Sequence, residues 1–129
     1  MQRENYDQLT GQIIQCAIEV HRELGPGLLE SIYELCLAQE LKKLDLKVNA
    51  QVPIPVIYKG TKLDKQFRAD LIVEEKIIIE LKCVDVITPL HEVQLVSYLK
   101  IANKKLGLLL NFNVALMRDG IRRKINGYL

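Results

Sequence analysis

Arg68-Ala69-Asp70-Leu71-Ile72-Val73, a turn at Glu74-Glu75-Lys76, then Ile77-Ile78-Ile79-Glu80-Leu81-Lys82: this stretch decides the fold. Its two arms are aliphatic and β-branched, as strands inside a covered sheet are. Leu63 to Val73 is expected as one strand and Lys76 to Val84 as the next. Three ionisable side chains interrupt the aliphatic run: Asp70, Glu80 and Lys82. Period two puts Glu80 and Lys82 on the same face. Charges in such a setting cost desolvation energy unless they are paired or bind a metal. A two-residue loop would pair Val73 with Lys76 and Asp70 with Ile79, sending the carboxylates to opposite faces. A three-residue loop, Glu74-Glu75-Lys76, pairs Asp70 with Glu80 instead, and a bulge beside Asp70 would do the same. One or the other is predicted.

Upstream, Val48, Ala50, Val52, Ile54, Val56 and Tyr58 alternate with polar residues and prolines, giving a strand with one buried face. Pro53 and Pro55 share a parity, which suits an edge strand. Before it, Leu9, Ile13, Cys16, Ala17, Val20 and Leu24 predict an amphipathic helix over residues 4–24. Gly25-Pro26-Gly27 stops it. A second helix is expected from Leu28 to Leu46, with Leu29, Ile32, Cys36, Leu37, Leu41 and Leu44 inward.

Downstream, Thr88-Pro89 is a helix start, threonine as N-cap and proline at the first helical position. That helix runs to Ala102. Leu106 to Phe112 reads as a strand buried on both faces, and Asp119-Gly120 as a hairpin turn before a last strand, Ile121 to Ile125. The order is α-α-β-β-β-α-β-β, an α/β sandwich in a single domain, residues 1–129.

Composition agrees. The 129 residues are 49% hydrophobic and 26% charged, with a net charge of +2, so neither a disordered tail nor a strongly basic nucleic-acid coat is indicated. Folding buries roughly two thirds of the unfolded chain's surface at this length, enough for a core without staples. Three separated cysteines, Cys16, Cys36 and Cys83, form no disulfide or zinc pattern and point to a reducing compartment. MQRENYDQLTGQ has no apolar stretch of the signal-peptide kind. No apolar run is long enough to cross a bilayer. The expectation is a soluble cytoplasmic protein with no membrane association.

Two carboxylates converging on one spot repel, and a divalent cation relieves this; oxygen-only ligands favour Mg²⁺ or Mn²⁺ over zinc. Such an ion polarises a phosphoryl oxygen and activates water, and a nearby Lys82 ammonium stabilises developing negative charge. The ordinary structural alternative is a buried Asp–Lys or Glu–Lys ion pair. Gln94 and Tyr98, i and i+4, share one face of the third helix, with His91 on the same stripe. Glu30 and Tyr33 lie one turn apart at the start of the second helix. With Gly27 as N-cap, Glu30 would sit at N3, where glutamate helps cap. Tyr33 and Tyr98 could equally be core rings. His91 reads as a first-turn residue near solvent and His21 as a helix-flank residue capping carbonyls near Leu24.

Val20-His21-Arg22-Glu23-Leu24-Gly25-Pro26-Gly27-Leu28-Leu29-Glu30-Ser31-Ile32-Tyr33 resembles the signature of the GxxExxY proteins, a branch of the PD-(D/E)xK nuclease superfamily. Gly27, Glu30 and Tyr33 match the residues that give the branch its name. The resemblance continues through Arg68-Ala69-Asp70, Glu80-Leu81-Lys82, Gln94 and Tyr98, Gly107 to Phe112, and Asp119-Gly120-Ile121, nearly the whole chain in order. Ala69 stands where the superfamily name has proline.

The resemblance implies a restriction-endonuclease-like core, a mixed β-sheet flanked by helices. It implies Asp70, Glu80 and Glu30 as ligands of Mg²⁺ or Mn²⁺ and Lys82 as catalytic lysine, with Gln94 and Tyr98 as a QxxxY motif and Tyr33 completing the site. The function so implied is a metal-dependent nuclease acting on DNA, less readily on RNA. Arg118, Arg122, Arg123, Lys124, Lys104 and Lys105 are the candidate contacts to a nucleic-acid backbone, though charge runs are commonly just solvated faces. The alternative is a catalytically silent module of nuclease fold that binds nucleic acid or a partner protein. So short a chain leaves little for target recognition, so a homo-oligomer or partner protein is expected to supply specificity.

Overall fold

A computed structural model describes residues 2–129. Helix α1 (Arg3–Leu24) buries Tyr6, Leu9, Ile13, Cys16, Ala17 and Val20, the stripe expected from their spacing. It ends at Gly25, whose φ of 68° lies where a side chain is disfavoured and whose N–H donates to the His21 carbonyl. His21 itself is not on the helix flank as expected. It is buried, and its Nε2 lies 2.8 Å from the Val114 carbonyl oxygen, tying α1 to a distant loop.

Helix α2 (Glu30–Lys43) is shorter than the expected Leu28–Leu46; Leu37 and Leu41 face inward as expected, joined by Tyr33 and Ala38. Leu29, Ile32 and Leu44, expected inward, are at the surface; Leu29 is 70% exposed. Tyr33 is the physical reason. Its ring is fully buried and stacks on Phe112 with centroids 4.5 Å apart. Its hydroxyl donates to the Gly25 carbonyl and accepts from the Leu28 N–H. One buried aromatic ring with its polar tip satisfied sets the phase of the helix against smaller aliphatic neighbours. Leu29 becomes the N-cap, so Glu30 is the first helical residue and not the N3 residue of a helix capped by Gly27.

Five strands follow: β1 (Val48–Tyr58), β2 (Thr61–Val73), β3 (Ile77–Lys82), β4 (Leu106–Asn111) and β5 (Ile121–Ile125), with α3 (Pro89–Ala102) between β3 and β4. They form one sheet in the order β1-β2-β3-β4-β5. Only β3 and β4 are parallel; every other pair is antiparallel, so the sheet is mixed. The expected order of helices and strands holds, with one addition. A 3₁₀ turn, Met117–Gly120, replaces the simple Asp119-Gly120 hairpin. Gly120 is required there because a Cβ would lie 2.1 Å from the Asn111 carbonyl oxygen.

The helices cover both faces. α1 and α2 pack on Leu71, Val73, Ile77, Ile79, Leu81, Leu106, Leu108 and Leu110. α3 packs on the other face, setting Leu95 and Leu99 against Ile72, Ile78 and Leu109. β4 is buried along its whole length and β1 is an edge strand, both as expected. β3 ends at Lys82, two residues early, because the Asn111 side chain takes over: its Oδ1 accepts from Val84 N and its Nδ2 donates to Val84 O. The three cysteines are free. Among the described residues no helix is long and apolar enough to cross a membrane.

Candidate active site

The β2–β3 turn is the three-residue version. Val73 pairs with Ile77, Ile72 with Ile78 and Leu71 with Ile79, a register that carries Asp70 to a position across from Glu80. The backbone ladder stops there. The next donor, Leu81 N–H, is taken by Asp70 Oδ2 at 2.8 Å, so a side chain substitutes for a main-chain acceptor. The pleat also reverses at this point. Phe67, Ala69 and Ile72 pack toward α3, whereas Leu71 and Val73 pack toward α1 and α2. Strict alternation would put Ala69 with Leu71.

A cavity of about 210 Å³ opens at this irregularity. The start of α2 gives it Glu30; β2 gives Arg68 and Asp70; β3 gives Glu80 and Lys82; α3 gives His91, Gln94 and Tyr98. Six of the seven residues expected at a site are thus brought together. Tyr33 is not among them, because its ring and hydroxyl are committed to the core and to the Gly25–Leu28 loop.

Glu80 dominates the electrostatics. It is 8% exposed, and its Oε1 is buried with no hydrogen-bond partner. Burial first, and then the neighbouring charge of Asp70, push its carboxyl up to about 9; Lys82 opposes this only in part. Among the described residues no ion pair joins Lys82 to Asp70 or Glu80. The structural alternative of a closed Asp–Lys or Glu–Lys pair is therefore not the arrangement found. Tyr98 stacks on Phe67 with centroids 3.9 Å apart. Burial, then the charges of Glu80 and Asp70, raise its phenol, which keeps it a proton donor. His91 is the first-turn residue expected: its Nδ1 accepts from Thr88 N, and its own N–H donates to Thr88 Oγ1.

A hard divalent cation fits the pair Asp70 and Glu80: both are carboxylate donors, and one buried oxygen lacks any partner. Glu30 lines the same cavity but is not gathered with them. Among the described residues no three His, Cys, Asp or Glu side chains are grouped closely enough to hold an ion.

The expected basic surface is divided. Along β5, Arg123 faces α1 and pairs with Asp7 at 2.8 Å, whereas Lys124 faces α3 and pairs with Glu92 at 3.2 Å. Arg122 donates to the Asp119 and Ile121 carbonyls, and Lys104 to the Glu75 carbonyl. Lys104 and Lys105 precede Leu106, which pairs with Ile77, so they stand at the end of the β3–β4 ladder opposite Lys82. Arg118 lies on the 3₁₀ turn at the other end. These six residues form no single patch, because period two and the strand ends separate them.

Three neighbours of the site were not singled out from the sequence. Arg68 adjoins Asp70 in the chain, while Gln51 and Glu34 carry no motif that marks them.

A family profile described as the PD-(D/E)XK nuclease superfamily matches residues 7–124. Among solved structures, the crystal structure of SSO0001 is similar: 26% identical, TM-score 0.51, covering 78% of this chain and 51% of that one. The chain thus spans about half the length of that protein. Among curated proteins none matches. With a mixed sheet of this order and a family match over most of its length, the chain belongs to the PD-(D/E)XK nuclease superfamily.

Proposed function

We propose that this protein is a Mg²⁺- or Mn²⁺-dependent nuclease of the GxxExxY branch that hydrolyses phosphodiester bonds of DNA in the cytoplasm. The observation that carries this reading is the buried, partnerless Oε1 of Glu80 across the register from Asp70. A folded protein retains such an oxygen at a cost of about 1–3 kcal/mol unless a ligand satisfies it.

Asp70 and Glu80 would hold the cation, and Glu30 lines the same cavity from the start of α2. A divalent ion held there polarises a phosphoryl oxygen and lowers the pKa of its bound water. The chain's own groups do the rest. Leu81 N–H fixes Asp70 Oδ2, which orients the carboxylate before substrate arrives. Lys82, free of any ion pair, offers its ammonium to the attacking water or to the developing phosphorane charge. Tyr98 and Gln94 line the α3 wall and offer donors to phosphate oxygens. Leu95 and Leu109, both buried, complete a lining that is otherwise mostly polar.

The test is cleavage of labelled single- and double-stranded DNA and RNA in Mn²⁺, comparing wild type with Glu80→Ala and Lys82→Ala. Wild type is expected to cut DNA in preference to RNA and both variants to lose activity. Equal activity in all three proteins overturns the assigned mechanism, and no cleavage of any substrate overturns the nuclease reading.

A further inference from the structure

Gln51 adopts φ 51° in the middle of β1. The other non-glycine residues at positive φ among those described, Asp45, Lys59, Glu74, Glu75 and Asn103, lie in turns or end a helix. Glycine or asparagine fills a left-handed position at little cost; glutamine has no conformational reason to be there. Strain of this kind persists where the surroundings impose it. What the surroundings gain is visible in the side chain.

Gln51 falls across from Asp70, between the pairs Ala50–Leu71 and Val52–Ala69, where the pleat of β2 reverses. Its Nε2 donates to Glu34 Oε1 at 2.7 Å and stands 3.5 Å from Asp70 Oδ1. Its carbonyl accepts from Arg68 Nη1 at 3.2 Å. Glu34 lies one helical turn beyond Glu30 on α2; burial raises its carboxyl, the Gln51 hydrogen bond opposes this, and the charges of Asp70 and Glu30 add to the rise. Asp70 is therefore approached from two strands: Oδ2 accepts from the Leu81 N–H of β3 at 2.8 Å, and the Gln51 amide of β1 reaches Oδ1 in a longer contact of 3.5 Å. A neutral amide can satisfy two carboxylates at once without adding a positive charge that would compete with a cation.

We propose that Gln51 is a positioning residue: its amide separates Asp70 from Glu34 and fixes the Asp70 carboxylate toward Glu80, and the left-handed backbone is what delivers the amide there. This rests on the nuclease reading of the same site. The substitution Gln51→Gly removes the amide and also the backbone strain, whereas Gln51→Met keeps the length and the strain but has no donor.

The experiment measures thermal melting in chelator, Leu81 amide hydrogen exchange in chelator, Mn²⁺ binding by calorimetry, and steady-state DNA cleavage. Gln51→Gly is expected to melt no lower than wild type. In both variants Leu81 should exchange about tenfold faster with Ile79 unchanged, since a fixed acceptor has been loosened. Mn²⁺ binding should weaken about 10–100-fold and kcat fall comparably, with KM for DNA moving less than about threefold. Wild-type Leu81 exchange and Mn²⁺ binding in Gln51→Gly overturn the proposal. A lower melting temperature with unchanged Leu81 exchange also overturns it, by assigning Gln51 to the fold alone. A wild type that cuts nothing sinks the nuclease reading instead, and Leu81 exchange still decides the positioning role.

Discussion

Burial and the neighbouring charge of Asp70 favour the protonated form of the Glu80 carboxyl. Its pKa is pushed up to about 9 from an ordinary 4.5, so the folded protein keeps a proton that the unfolded chain has released between those values. A raised folded-state pKa contributes stability below the unfolded value and loses it as pH rises through the folded one. In chelator, melting temperature should therefore fall from about pH 5 to pH 9, with Glu80→Gln flatter and several degrees more stable near pH 8. A variant whose melting curve tracks wild type at every pH contradicts this. Lys82→Met, which breaks no ion pair, should leave melting unchanged while cleavage falls about 10²–10⁴-fold; full activity contradicts its role. Asp70, Glu80 and Lys82 were legible in the sequence because charges stand out among isoleucines. Gln51 was not, since a left-handed glutamine runs against local preference and leaves no trace in residue type.

Among the elements, the β2–β3 hairpin was legible and α2 was not. Of the two routes that bring Asp70 across from Glu80, the three-residue Glu74-Glu75-Lys76 turn is the one found. The phase of α2 depends on where the Gly25–Leu28 loop runs, because Tyr33 bonds to both ends of that loop. Helical periodicity cannot see a partner outside the helix, so by spacing alone Leu29 and Ile32 fall on the inward face. Tyr33→Phe leaves the Leu28 N–H and the Gly25 carbonyl without their partner and should cost about 1–3 kcal/mol. At roughly 4 °C per kcal/mol, between the values for smaller and larger domains, the loss is easily read in a melt. An unchanged melting temperature would mean that the hydroxyl does not hold the loop.

For the whole molecule, element order survived from sequence to structure because each period, 3.6 or 2, was long enough to count. The pairing of the basic residues is not legible in the sequence, because partners such as Asp7 and Glu92 are set by tertiary packing. With the basic residues divided between faces and ends of the sheet, few cations can engage one DNA duplex at once. The slope of log affinity against log salt should be shallower than about −4; a slope near −8 would require a continuous basic surface. The most direct measurement is a calorimetric Mn²⁺ titration near pH 8 of wild type beside Glu80→Gln. Saturable binding in wild type, lost in the variant, is the expected result. Indistinguishable titrations would contradict a cation site built on Asp70 and Glu80.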